Sequence, residues 1–481
     1  MGNAVQMRLR ASDEASRPVV SCRPSGVRHP SRFFHYMIGL ILFLAPMRWL
    51  MQQIFGDMVG SFIKEGFIVV LMALLFAKYA IRSETRACLA SVMRTRPGKC
   101  VVLFLVSVTL CTLYQLGEDP LRAVVGFFEY ATYPALMVII VSSGFSAKQM
   151  RDLLGVVLIT VPITAAVSLV AFAFQLEIGP AEFIYPLYTR TAAWRFSSLT
   201  GSSLHYGVFL ALTLPVITSL LLDWVQRVRN VVWLTMGGIA LVLTYSRGAW
   251  VQLILSLGVL LMLKRMSKWI WIGIPLLLAG FLFVPYLNRL GLTTLYLERL
   301  GSTLDWTVAA DNVSRKTAWK VAFAMFTREP LLGVGLASTG NAVAKLTGTT
   351  PQFVTENHYL KVLLEGGLLV FFPFILLLTE ILRVAYKLQA HQMPRLSRAL
   401  SQGIFASLVG FAVELFVLQS LEAQVVAVIF WFYVSYLILE TMRTFPPLAK
   451  PKDGTFAVGV VALRVRANSR TTSNLRPSKR D

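Results

Sequence analysis

The sequence predicts an all-α polytopic membrane protein of about 12 transmembrane helices, that being the number of apolar runs long enough to cross a ~30 Å hydrocarbon core. Three observations predict it. Apolar residues make up 56% of the chain and charged residues only 15%, where a soluble domain carries about 25% charged residues. The mean hydropathy is +0.64, and the apolar residues fall in runs of roughly 17–24, as a spanning helix requires. The basic residues fall mostly between and outside these runs, which is the positive-inside pattern.

In chain order the cores of the runs lie at 34–53, 62–80, 100–115, 121–143, 153–175, 206–223, 230–245, 248–264, 269–286, 360–382, 402–420 and 424–441. They form one transmembrane domain over 34–445, between a basic cytoplasmic tail at 1–33 and a second at 446–481 that reads as disordered. The first run suits a retained helix better than a cleaved signal peptide. Orientation follows from Lys and Arg. With the N-terminus in the cytoplasm, about two thirds of the 46 basic residues fall in the two tails and in the inner segments near 78–99, 148–151, 227–229, 264–268 and 383–401. An even helix count leaves both termini inside. Two outer segments are long, 176–205 and 287–359. The second carries a predicted helix near 314–328, with Ser314 as its N-cap and Pro330 after its end. On that helix Arg315, Trp319, Ala322 and Phe326 share one face. A loop this long with structure of its own is usually functional.

Several function classes drop out. The net charge of +22 would suit nucleic acid, but its distribution follows membrane topology, so membrane lipids are expected as partners and nucleic acid is not. None of the four cysteines, Cys22, Cys88, Cys100 and Cys111, sits in an outer loop, so no structural disulfide is expected. No phosphate-binding G-x-x-x-x-G-K-[ST] loop and no metal-ligand cluster is present, so neither nucleotide hydrolysis nor a metal or other cofactor is expected.

Charge inside spanning helices is expensive, so its location is informative. Lys64, Glu65, Glu129, Glu365 and Glu414 fall within the runs, and Arg247 lies in the turn between two of them. All fall in the outer half of the membrane or at its outer face. The inner half carries charge only at its rim, at Asp223 and Glu380. Snorkelling accounts for any one of these groups. A polar cavity open to the outer leaflet accounts better for the asymmetry.

Of five histidines, only His205 and His358 lie on the outer side. His205 follows a Gly-Ser-Ser turn and reads first as structural. His358 begins a spanning helix in Thr355-Glu356-Asn357-His358-Tyr359-Leu360, with Glu365 about two turns on. It reads as a neutral base at the membrane surface, where a polar acceptor meets a lipid-borne donor. Arg247, in Thr244-Tyr245-Ser246-Arg247-Gly248, opposes the positive-inside bias, and guanidinium groups bind phosphate bidentately. Arg315 is a second candidate for the same anion, against the plain alternative of an exposed helix charge. His205, Arg195, Asn357 and Glu365 are secondary candidates.

Together these pieces resemble the O-antigen ligase and O-antigen polymerase superfamily of bacterial envelope glycosyltransferases. The resemblance is carried by Leu199-Thr200-Gly201 through His205, Thr244 to Gly248, Arg315 with Trp319, Pro330-Leu331-Leu332-Gly333-Val334-Gly335, Asn357-His358-Tyr359-Leu360 and Glu365-Gly366-Gly367-Leu368. It implies a GT-C-like, metal-independent, inverting enzyme of the inner membrane whose loop 287–359 is periplasmic. The implied donor is a glycan on undecaprenyl diphosphate. The implied acceptor is lipid A core in a ligase or a growing polysaccharide in a polymerase. Arg247 and Arg315 would bind the diphosphate and His358 would activate the acceptor hydroxyl. A multi-pass transporter or flippase is the alternative. Against it stand the absence of an inverted repeat and of midplane charge.

Overall fold

A computed structural model describes residues 32–81, 83–174, 176, 182–184, 193–266, 310–340 and 354–444. The chain divides into two compact units, Ser25–Thr441 and a second formed by Met1–Pro24 with Met442–Asp481. Of the second only residues 442–444 are described, so the two expected tails lie almost wholly outside the described residues.

Helix α1 (Arg32–Leu44) is separated from α2 (Arg48–Phe55) by one 3-10 turn around Pro46, which has no amide hydrogen to continue an α-helix. Then come α3 (Asp57–Ile81) and α4 (Ser83–Arg94). Helix α5 (Arg96–Gln115) starts on a cap, the Thr95 hydroxyl accepting the Gly98 amide hydrogen at 3.1 Å with Pro97 in the first turn. Helix α6 (Pro120–Ser142) repeats the device with Asp119, which accepts the Arg122 amide hydrogen at 3.0 Å. After α7 (Ala147–Phe174) a short antiparallel hairpin pairs β1 (Glu182–Ile184) with β2 (Ala193–Arg195). Helices α8 (Ser203–Leu222), α9 (Arg227–Leu243) and α10 (Arg247–Leu263) follow, then α11 (Ala310–Phe326), α12 (His358–Gln389), α13 (Arg395–Glu414) and α14 (Gln424–Thr444).

Among the described residues eight helices are long and apolar enough to cross a membrane: the α1–α2 stretch, α5, α6, α7, α8, α12, α13 and α14. The runs at 62–80, 230–245 and 248–264 also coincide with helices, α3, α9 and α10. The last two have 17 residues each, below the ~20 that a span usually takes. The run at 269–286 lies outside the described residues.

Three boundaries differ from expectation. Helix α13 occupies 395–414 rather than 402–420, because it starts at once after Pro394. Helix α12 continues to Gln389, so the expected inner loop at 383–401 shrinks to five residues. An apolar run marks where a helix crosses the membrane and not where the helix ends. The loop helix begins at Ala310, a strong helix former, so Ser314 lies inside it and is not its cap.

Between helices in lipid, close approach does the work that burial from water does elsewhere. A Cβ on Gly403 of α13 would lie 2.6 Å from the Val216 Cα of α8, and one on Gly410 would lie 2.5 Å from the Gln252 carbonyl oxygen of α10. Helix α13 is therefore wedged between α8 and α10 and runs antiparallel to both. The starts of α8 and α10 lie where α13 finishes. The His358 amide donates to the Leu415 carbonyl at 2.8 Å, which puts the start of α12 there too. Three helix N-termini, at Ser203, Arg247 and His358, thus share one end of the bundle.

The same end is closed by an interlock. Helix α12 breaks at Gly367, with φ +56° and ψ −162°. The freed backbone groups bond to the segment after α11: Val334 donates to the Leu364 carbonyl at 2.9 Å, Leu368 to Pro330 at 2.9 Å and Leu369 to Leu331 at 3.1 Å. The sequence motifs at 330–335 and 365–368 are two halves of this one structure. A Cβ at Gly367 would sit 2.3 Å from the Leu331 carbonyl oxygen, and one at Gly333 would sit 2.4 Å from that of Leu364. Neither backbone has room to yield. Gly367→Ala is expected to cost about 2 kcal/mol or more, from the left-handed φ and the clash together. A chemical-denaturation midpoint in detergent equal to that of the parent chain would contradict this.

Candidate functional site

The site is built around the first three turns of α12. Asn357 caps the helix, its side-chain oxygen accepting the Leu360 amide hydrogen at 3.0 Å, so this secondary candidate has a structural role. The approach to the cap is held from three sides. Trp319 Nε1 donates to the Thr355 carbonyl at 2.9 Å, the Gln419 amide pairs with the Thr355 hydroxyl, and Arg315 forms an ion pair with Glu356. The face of α11 that carries Arg315, Trp319 and Ala322 is therefore the packed one, and Ala322 is fully buried. Arg315 is neither an exposed helix charge nor a lone guanidinium. Glu356 itself adopts φ +48°, a left-handed backbone uncommon for a residue with a side chain, two positions before His358.

His358 is buried among side chains at the shared end of the bundle. It is 5% exposed, and its ring packs on Phe374 with centroids 5.6 Å apart. Its Nδ1 has no hydrogen-bond partner among the described residues. The ring lines a cavity together with Glu129, Tyr130, Tyr133, Phe374 and Trp431. The amide hydrogen bond from His358 to the Leu415 carbonyl holds the first turn of α12 against the α13–α14 connection.

One turn further lies Lys361, fully buried. Its ammonium sits 2.5 Å from Glu129, 3.4 Å from Glu422 and 3.8 Å from Glu365. Glu365, a secondary candidate, is fully occupied as an acceptor. It takes hydrogens from the Tyr130 hydroxyl at 2.7 Å, the Ala337 and Thr339 amides at 3.2 and 2.9 Å, and the Thr339 hydroxyl at 2.6 Å. The cluster ties α6, α12, the segment 336–340 and the α13–α14 connection together. Lys361 and Glu422 were not among the candidates drawn from the sequence, although the four-residue spacing of Lys361 and Glu365 is visible in it. Glu65 and Glu414 are likewise engaged, accepting from the Tyr133 and Ser420 hydroxyls at 2.7 Å each.

Arg247 is the first residue of α10 and is half-buried. Its turn packs against the same α13–α14 connection, since a Cβ on Gly248 would meet Val417 at 3.3 Å. Tyr245, two residues before it, adopts φ +53°, as Glu356 does before His358. Arg195 donates to the Tyr245 carbonyl at 3.3 Å and so braces the turn. His205 is half-buried in the first turn of α8. Arg247 and His358 thus flank one connection, with Arg315 joined to the second of them through Glu356. If Arg247 and Arg315 hold one anion, the double alanine variant is expected to lose less transfer activity than the two single losses predict. Strict additivity in a kinetic double-mutant cycle would separate their roles.

Residues 231–375 match the family model described as O-antigen ligase. The matched segment runs from α9 into α12 and contains Arg247, Arg315, His358, Lys361 and Glu365. No curated protein matches the chain.

Proposed function

We propose, on the premise that the chain carries an O-antigen ligase family domain at residues 231–375 and stands with the O-antigen ligases and polymerases, that it is a glycosyltransferase of the bacterial inner membrane. It moves a glycan from undecaprenyl diphosphate to an acceptor hydroxyl on the periplasmic side. The acceptor is lipid A core if it is a ligase and a growing O-antigen or exopolysaccharide if it is a polymerase. The observation that carries the reading is the meeting of Arg247 and His358 on the α13–α14 connection, each at the N-terminus of a helix. A helix N-terminus favours an anion, and guanidinium adds a bidentate grip on phosphate.

In the proposed step the acceptor oxygen bonds to the anomeric carbon from the side opposite the diphosphate. The bond from that carbon to the phosphate oxygen breaks, and its electron pair leaves with undecaprenyl diphosphate. Arg247 and Arg315 take up the growing charge, Arg315 exchanging Glu356 for phosphate. The acceptor proton passes to His358. Attack from the far side inverts the anomeric centre. The residues named suffice for this step without a metal, and the architecture is expected to be GT-C-like.

Two measurements test the reading. Purified protein given undecaprenyl-diphosphate glycan and either lipid A core or free polysaccharide should extend one of them, resolved by size and by lipid attachment. A reporter active only outside the cytoplasm should score positive when fused after residue 340 and negative at the C-terminus. No product with either acceptor, or the reverse reporter pattern, would remove the proposal.

A further inference from the structure

His358 and Glu129 come from different helices, α12 and α6, yet line the same cavity. Each holds a buried polar atom with no hydrogen-bond partner among the described residues, Nδ1 on the imidazole and Oε2 on the carboxylate. Other buried polar atoms among the described residues also lack a partner, but these two line one cavity. These two are complementary, because a neutral imidazole offers one N–H and a carboxylate oxygen only accepts.

Among the carboxylates around Lys361, Glu129 is the one that combines spare capacity with access to the cavity. Glu365 already accepts four hydrogens. Glu422 does not line the cavity. Glu129 is held through Oε1 alone, 2.5 Å from the Lys361 ammonium. Lys361 stands three residues from His358 on the same helix, so the grip fixes the carboxylate relative to the imidazole. Aromatic walls at Tyr130, Tyr133, Phe374 and Trp431 keep the surroundings of low polarity, where a hydrogen bond to a charged group is strong.

We infer that Glu129 is a positioning residue for His358: across the cavity that both line, its Oε2 accepts from Nδ1–H through one bridging water molecule, and so leaves Nε2 as the bare nitrogen. The tautomer of a histidine is set by the bond its other nitrogen makes. The inference rests on the glycosyltransferase reading only in making Nε2 the atom that takes the acceptor proton. When that proton arrives, the imidazolium faces the Glu129 charge and is stabilised by it.

The test separates the two claims. Full-length protein in lipid nanodiscs is labelled with ¹⁵N-histidine, and the His358 resonances are identified by their loss in His358→Gln. The parent chain is expected to show the Nδ1–H tautomer. Glu129→Gln, whose amide can donate to Nδ1 or accept from it, should show a mixture of tautomers. Glu422→Gln, which takes a carboxylate from Lys361 without altering the cavity wall, should retain the parent tautomer. If Glu129→Gln does not fold, Glu129→Asp keeps the charge but draws it back by one methylene, and the same loss of preference is expected. Parent-like tautomers in every Glu129 variant that folds, or an equal shift in Glu422→Gln, would overturn the inference. In turnover, Glu129→Gln should lower kcat about tenfold or more with the KM for donor unchanged. A tautomer shift in protein that transfers no glycan would sustain the His358–Glu129 pair and sink the enzymatic reading. Transfer with an unmoved tautomer would do the reverse.

Discussion

Replacing His358 by alanine is expected to cut glycan transfer about 100-fold or more while donor binding stays near normal. The expectation rests on where the ring lies. It is buried against Phe374 in a cavity wall, and among the described residues lining that cavity Glu129 is the acidic one. The turn that carries it does not depend on the side chain, because the backbone amide holds Leu415 and Asn357 supplies the cap. Loss of the ring should therefore remove chemistry without unseating Arg247 or Arg315. The measurement is a single-turnover rate beside an equilibrium binding curve for undecaprenyl-diphosphate glycan. A general base gives a large fall in the first and none in the second. A residue that merely packs the helix start gives falls in both, together with lower thermal stability. His358→Gln, which fills much of the same space, controls for the cavity that alanine leaves. Wild-type transfer by His358→Ala would end the base assignment, and His205 in the first turn of α8 would be tested next.

How much of this was legible in the sequence differs by level. The crossing segments were legible because hydrocarbon thickness fixes a length and a composition that no other environment demands. Their ends were not, since α12 and α13 extend through polar residues that hydropathy does not register. The gathering of charge toward one end was legible from Glu65, Glu129, Glu365 and Glu414. The pairing of those groups was not, because Lys361 meets Glu129 across 232 positions of chain and Glu422 across 61. The motifs at 330–335 and 365–368 were visible as strings of glycine. Their meaning is steric and appears only when the two backbones lie side by side. Asn357 and Arg195 show the converse. Both were candidates by chemistry, and each makes a bond that caps or braces the backbone near a stronger candidate.

Arg315 marks the limit of reading function from one residue type. Its spacing with Trp319 placed it on a structured face, and that face does pack, yet the guanidinium is committed to Glu356. An arginine in this position has two roles in sequence. It holds Glu356, and with it the strained approach to His358, and in the proposed step it would release that partner for a phosphate. The second role requires the phosphate to outcompete an ion pair that is only partly shielded, which a doubly charged diphosphate is equipped to do.

Arg247 is the residue whose loss should be felt most in donor binding. It opens α10 at the shared end of the bundle, where under the proposed reading the helix dipole and the guanidinium would act on the same anion. It is half-buried and lies at the margin of the packed helices, so Arg247→Ala is expected to express and fold near normally. Transfer should fall at least about tenfold, since charge-assisted hydrogen bonds to a buried anion are worth on the order of 1.5–3 kcal/mol. The loss should appear as a raised KM for donor as well as a lowered kcat, because the diphosphate carries charge before the reaction and gains more during it. Arg247→Lys is the more telling variant. It keeps the charge, the long stem and the place on the helix, and it gives up only the planar fork. If recognition is bidentate, lysine should rescue little of the lost activity. If Arg247 acts as a point charge that merely draws the anion in, lysine should restore most of it. Salt dependence would then separate the two, because a screened point charge weakens with ionic strength while a seated fork is affected less. Full activity in Arg247→Ala would take this residue out of the site and leave Arg315 as the sole diphosphate ligand of those named.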